Sequence, residues 1–299
     1  MSDISLMELS RLLKARKKAP HADVIDLRGA LEAGAAKIRI DPRVSVRSVR
    51  LGALDAEALE PNGADAETMV LYLHGGAFVG GSCSTHRALA SALALASCRT
   101  TVTVNYRLAP EHPWPAAEQD ILVAYKQLLA IAKDVVVIGD SAGGNLAMRL
   151  LLSARCEGLR MPGAAVLLSP WIDLDLNSES VTRLADTDPT LDAARLRTYA
   201  GLYTAGLSGP RILGEQFERF PRMLIQAGAA DLLCGDAERL YEELRRAKVP
   251  VKLEMWPNAF HVWHAYFPWL SEARQAVHRI GQFLKIDGGS NVSSYSTSF

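Results

Sequence analysis

The chain has 299 residues, 49% apolar and 22% charged, the profile of an ordinary soluble globular enzyme. Lys plus Arg and Asp plus Glu each number 33, so no net basic charge argues for nucleic acid or an anionic membrane surface as partner. No run of about 18 apolar residues occurs, which speaks against insertion into a membrane.

Met1 to Lys18 mixes acidic and basic residues with apolar ones and offers no continuous apolar h-region, so no signal peptide is expected. Arg11, Lys14, Arg16, Lys17 and Lys18 read as the solvated face of an amphipathic helix. The four cysteines, Cys83, Cys98, Cys156 and Cys234, lack metal-ligand spacing and are expected to be reduced thiols in the cytoplasm.

Residues up to about 42 form a charged, helical preface. Short apolar strands then alternate with helical patterns, the signature of βαβ units and a mostly parallel sheet. Strands are predicted at Val44–Leu51, Glu57–Leu59, Met69–Leu73, Thr101–Asn105, Val135–Ile138, Ala164–Leu168, Met223–Gln226 and Val251–Met255. Helices are predicted at Thr85–Ala96, Ala117–Ile131, Ala142–Ala154, Asp236–Ala247 and Ser271–Leu284, with Thr85 and Ser271 as N-caps. An excursion of about fifty residues separates Trp171 from Pro221 and carries a helical stretch from Asp192 to Tyr203. A crossover needs far fewer residues, and long excursions in compact domains are usually functional. The expected organisation is therefore an N-terminal cap segment (1–42), a catalytic domain (43–286) with a cap insertion at about 172–220, and a flexible tail (287–299).

Gly139-Asp140-Ser141-Ala142-Gly143 lies between the β-branched run Val135–Ile138 and an alanine- and leucine-rich helical run. A serine between two glycines at a strand-to-helix turn is a nucleophile elbow, where small flanking residues permit the sharp turn. Such a hydroxyl needs a base to take its proton and a third group to fix the base's tautomer. Asp231 follows the strand Met223–Gln226 at the right sheet edge; Asp236 suits N-capping of the next helix, and Asp173 follows the preceding strand. His261 follows the last strand, His264 lies three residues on, and His278 falls in the final helix, where a surface or packing role suits it. Ser141, Asp231 and His261 are thus the candidate triad. Oxyanion donors are expected at Ala142, which follows the serine, and in His74-Gly75-Gly76-Ala77-Phe78-Val79-Gly80-Gly81 after the third strand. That glycine-rich loop lacks the spacing and lysine of a phosphate cradle.

These motifs, together with Asn105-Tyr106-Arg107-Leu108-Ala109-Pro110-Glu111-His112-Pro113-Trp114-Pro115-Ala116-Ala117, resemble the hormone-sensitive lipase family of α/β-hydrolases in its bacterial carboxylesterase branch. The resemblance implies an eight-stranded, mostly parallel sheet flanked by helices, with a helical cap. It implies that Ser141 attacks, His261 shuttles protons and Asp231 orients His261. The implied oxyanion hole is Gly75, Gly76, Ala77 and Ala142, with Gly75 shaping the loop and the other three donating, while His74 holds the loop by hydrogen bonds. Two departures are visible: His-Gly-Gly-Gly reads His74-Gly75-Gly76-Ala77, and Asp-Pro-Leu reads Asp231-Leu232-Leu233. The expected substrate is a small ester of short to medium acyl chain, with Phe78, Trp171 and Tyr203 as candidate pocket residues and no metal or organic cofactor. An amidase, lactonase or acyltransferase would share the triad, and a ligand-binding protein could share the scaffold. The family also implies a homodimer paired through the last strand, Val251 to Trp256.

Overall fold

The computed structural model describes residues 4–17 and 23–285; the expected flexible tail lies outside them, as do parts of the N-terminal segment. Two helices, α1 (Leu6–Lys17) and α2 (Val24–Ala35), precede the sheet. Arg11 and Lys14 on α1 are exposed, as the solvated-face reading requires. The strands are β1 (Val44–Leu51), β2 (Leu54–Pro61), β3 (Asp65–Leu73), β4 (Arg99–Val104), β5 (Asp134–Asp140), β6 (Ala164–Leu168), β7 (Arg222–Gly228) and β8 (Val251–Trp256). Between them run α3 (Cys83–Ser97), α4 (Ala116–Ile131), α5 (Ala142–Cys156), α6 (Glu179–Arg183), α7 (Ala193–Thr204) and α8 (Cys234–Arg246), and α9 (Ser271–Lys285) follows the last strand.

The strands form one eight-stranded sheet in the order β1-β2-β4-β3-β5-β6-β7-β8. β1 and β2 pair antiparallel, as do β2 and β4, and every later pairing is parallel. The central strands are buried on both faces, which is why they read as continuous apolar runs. Their alternation still sorts the two cores. Val135 and Val137 of β5 join one cluster with α4, α5 and α8, whereas Val136 and Ile138 join the other with α3 and α9.

Three expectations at element ends are corrected. The N-cap of α3 is Ser82, not Thr85: Ser82 Oγ accepts from Thr85 N while Thr85 Oγ1 accepts from Ser82 N, a reciprocal capping box. Ser271 is the first residue within α9, its hydroxyl donating to Glu272. Asp236 lies inside the first turn of α8 and does not cap it, because its Oδ2 instead accepts from the N–H groups of Ile172 and Asp173, both at 2.8 Å. β2 is also far longer than the three-residue segment expected, since the hairpin with β1 pairs it along its whole length. All four cysteines are free thiols, and no helix among the described residues is long and apolar enough to cross a membrane.

Candidate active site

Binding sites of parallel sheets form outside the carboxyl ends of the strands, where successive loops converge. Here β3 runs into His74, β5 into Ser141, β7 into the Asp231 loop and β8 into the His261 loop, all at one edge. The β7 and β8 loops are joined by backbone hydrogen bonds from Ala229 N to Trp256 O and from Ala230 N to Ala259 O, both 2.9 Å.

Ser141 sits between β5 and α5 with φ 53° and ψ −120°, outside the regions a side-chain-bearing residue normally adopts. Its N–H donates to Leu168 O on β6 at 2.9 Å, and its carbonyl accepts from Trp171 N at 3.1 Å, so the strained turn is tied from both sides. Gly143 shows why the elbow needs glycine. A Cβ there would collide with the carbonyl oxygen of Leu73 and crowd that of His74, backbone atoms with no room to yield.

His261 Nε2 lies 2.8 Å from Ser141 Oγ, and His261 Nδ1 lies 2.9 Å from Asp231 Oδ2. A carboxylate can only accept, so Nδ1 carries the proton and the Nε2 lone pair faces the serine hydroxyl. Asp231 is fully buried, and its other oxygen accepts from Leu233 N at 2.9 Å. Burial works to lower the proton affinity of His261, but the charge and hydrogen bond of Asp231, with the more distant Asp188 and Asp140, outweigh it and leave the imidazole above its ordinary value. The structure thus brings together the three residues expected to form a triad.

The rivals lie elsewhere. Asp173 pairs with Arg239 at 2.8 Å. His264 is buried and bonded to Gln226 Oε1 at 3.0 Å, with burial pushing its pKa down to about 3. His278 is exposed on α9.

Ala142 is the first residue of α5, and the first N–H groups of a helix have no intrahelical acceptor. Across from it the loop after β3 turns through Gly76 (φ 118°), Ala77 (φ 55°) and Phe78 (φ 63°). A Cβ on Gly76 would strike the backbone of Gly80, so that position admits only glycine. Gly75 N donates to Asp140 Oδ1 at 3.0 Å, so that N–H is occupied within the protein. The same oxygen accepts from Tyr72 Oη at 2.6 Å. His74 is buried, stacked on Tyr106 with ring centres 4.2 Å apart, and its Nδ1 donates to Gly75 O at 2.8 Å.

Phe78, Trp171 and Tyr203 also meet, with the Phe78 and Tyr203 rings stacked 3.9 Å apart and Trp171 5.7 Å from Phe78. Each is 1% exposed or less, and together they pack the loop after β3 against α7. Two holders of the site had no signal in the sequence. Arg28 of α2 donates to Val79 O (2.7 Å) and Ala109 O (2.9 Å) while pairing with both oxygens of Glu111, fastening the loop to the N-terminal segment. Asp188, between α6 and α7, accepts from Leu232 N beside Asp231.

The likeness to known proteins agrees with this geometry. Residues 70–265 match the model of a family described as having the α/β hydrolase fold. An acetyl-hydrolase of Streptomyces hygroscopicus is 39% identical over 248 residues, 81% of this chain and 83% of that protein. An esterase of Acinetobacter venetianus is 33% identical over 251 residues, covering 81% and 82% of the two chains. The crystal structure of an esterase from the bacterial hormone-sensitive lipase family superposes with a TM-score of 0.90 at 35% identity, over 93% of this chain and 96% of that one. The chain therefore belongs to the α/β-hydrolase family, in its bacterial hormone-sensitive lipase branch, and with it to the ester-cleaving serine hydrolases.

Proposed function

We propose that the protein hydrolyses carboxylic esters of short to medium acyl chain in two steps through an acyl-serine intermediate. The observation that carries this reading is the continuous line from Asp231 Oδ2 through His261 to Ser141 Oγ, with contacts of 2.9 and 2.8 Å. In the first step His261 Nε2 takes the Ser141 proton as Oγ attacks the ester carbonyl carbon. The C=O π pair moves onto the oxygen, and the N–H groups of Gly76, Ala77 and Ala142 stabilise that oxyanion. Collapse expels the alcohol, which receives its proton from His261 Nε2, and leaves Ser141 acylated. Water then repeats the sequence with His261 again as base, releasing the acid and restoring the serine hydroxyl. Asp231 holds the imidazole in the required tautomer throughout.

The sealed aromatic cluster of Phe78, Trp171 and Tyr203 beside the loop and the elbow supports a small acyl space. In this reading the N-terminal segment and the residues at about 172–220 act together as a cap, which the Arg28 and Asp188 contacts support. The position of β8 at the end of the sheet supports pairing of two copies through it.

The test is hydrolysis of p-nitrophenyl esters of increasing acyl length by the wild type and by Ser141→Ala. Rates should peak at short to medium chains and fall on the order of a million-fold in the variant. A folded wild-type protein with no turnover on any ester would overturn the reading.

A further inference from the structure

The residue after Asp231 is gripped on both sides from the segment between β6 and β7. Leu232 donates its N–H to Asp188 Oδ2 at 2.6 Å, and its carbonyl accepts from Ser180 Oγ at 2.7 Å. Both partners are buried, Asp188 at 1% exposure and Ser180 at 3%. The other Asp188 oxygen accepts from Thr190 N (2.7 Å), Leu191 N (2.8 Å) and Thr190 Oγ1 (3.0 Å), which orients the carboxylate toward the acid loop. The contact depends on the residue that follows the acid. Where the resembled family reads Asp-Pro-Leu, this sequence has Leu232, and a proline would have no N–H to offer.

We propose that Asp188 is a positioning residue of the Asp231–His261 pair, through which the segment between β6 and β7 holds the acid loop. The proposal rests on the acyl-serine reading above.

Two physical consequences follow from the placement. The Leu232 clamp fixes the backbone immediately beside the carboxylate that orients His261, and misplacing a catalytic group by about an ångström costs on the order of a hundred-fold in rate. The charge acts separately, because a buried carboxylate in a low dielectric is felt over several ångströms. His261 meets Asp231 at Nδ1 from the β7 loop and Ser141 at Nε2 from the elbow, and it feels the charges of Asp188 from the β6–β7 segment and Asp140 from β5, while His264 on the short 3-10 helix Trp263–Tyr266 feels the charge of His261. The three carboxylates favour the protonated imidazole, and a charged His261 in turn disfavours protonation of His264.

The experiment is the pH profile of kcat/KM and of kcat for the wild type, Asp188→Asn, Asp188→Ala and Asp231→Asn. Asp188→Asn removes the charge and can keep an oxygen on only one side, either for Leu232 N–H or for Thr190 and Leu191 N–H, so the acid limb should move to lower pH by about half a unit or more, with some loss of kcat beside it. Asp188→Ala also frees Leu232 and should lower plateau kcat roughly ten- to hundred-fold with KM within about two-fold. A purely structural residue would leave the acid limb where it is. Wild-type profiles in both Asp188 variants, with Asp231→Asn inactive, would overturn the proposal. Full activity in Asp231→Asn would instead overturn the acyl-serine reading. Should Asp188→Asn fail to fold, Ser180→Ala carries the test: it releases the Leu232 carbonyl, along with the Gly235 N–H and the Ser178 hydroxyl that also meet Ser180 Oγ, and should lower kcat about three- to ten-fold, and unchanged kcat there would overturn the clamp.

Discussion

Exchanging one oxygen of Asp231 for nitrogen should nearly silence the enzyme, and the contacts of that carboxylate show why. Its two oxygens each meet a donor, Oδ1 the N–H of Leu233 and Oδ2 the Nδ1–H of His261, both at 2.9 Å. Asp231→Asn can satisfy only one of them. If the amide oxygen stays on Leu233, the NH2 group faces Nδ1, which must then accept. The imidazole proton moves to Nε2, pointing at Ser141 Oγ, and the base is blocked. If the amide flips, two donors meet at Leu233 in a fully buried site, at a cost of about 1–3 kcal/mol. The blocked tautomer is the less costly arrangement, so kcat should fall roughly ten-thousand-fold. That loss corresponds to about 5.5 kcal/mol of transition-state stabilisation, at about 1.36 kcal/mol per decade. Steady-state kinetics on a p-nitrophenyl ester, with circular dichroism to confirm the fold, measures it. A folded Asp231→Asn enzyme within ten-fold of wild type would refute the tautomer argument.

Three further outcomes are expected. Because His261 must be neutral to act and its pKa is raised, net of burial, by Asp231, the acid limb of kcat/KM should lie above the ordinary imidazole value of about 6.5; a limb below 6 would contradict the balance described. Gly143→Ala should cost well over about 3 kcal/mol, seen as insoluble expression or a large fall in Tm, because its Cβ meets the Leu73 carbonyl. Burial pushes the Asp236 carboxyl up to about 7 despite hydrogen bonds from Asp173 and Ile172. The folded state therefore holds that proton more tightly than the unfolded chain, and the associated stability, up to about 4 kcal/mol, is present below pH ~4 and lost as pH rises toward 7. Asp236→Asn should flatten that decline, which urea unfolding at pH 5 and pH 8 reads as a smaller difference than in wild type.

The sequence disclosed most where local chemistry and global fold agree. The β-branched central strands and the glycines of the elbow are legible because sterics demand them, and the chain order Ser141, Asp231, His261 ranks those residues ahead of Asp173, Asp236 and His264 without excluding them by itself. It disclosed least where tertiary pairing overrides composition. Leu54-Asp-Ala-Glu-Ala-Leu-Glu-Pro favours helix by its residues, yet pairing with β1 on one side and β4 on the other makes it a strand. The first residues of β3, Asp65 to Thr68, are mostly polar and span a register shift, so no apolar pattern marked them. Asp236 looked like a helix cap because caps and long-range backbone acceptors use the same side chain. Arg28 and Asp188 reach the site across 51 and 44 positions of sequence, a distance over which periodicity carries no information. Phe78, Trp171 and Tyr203, named from sequence as candidate pocket residues, meet in space and are buried, and neither fact could be read from their scattered positions in the chain.

The most direct test of the account is a stopped-flow measurement of p-nitrophenol release at high enzyme concentration, followed by peptide mass mapping of the quenched protein. The account predicts a burst of one equivalent per active site, with the acyl group on the peptide carrying Ser141, and neither in Ser141→Ala. Turnover by Ser141→Ala at the wild-type rate, or an acyl group mapped to another residue, would contradict it.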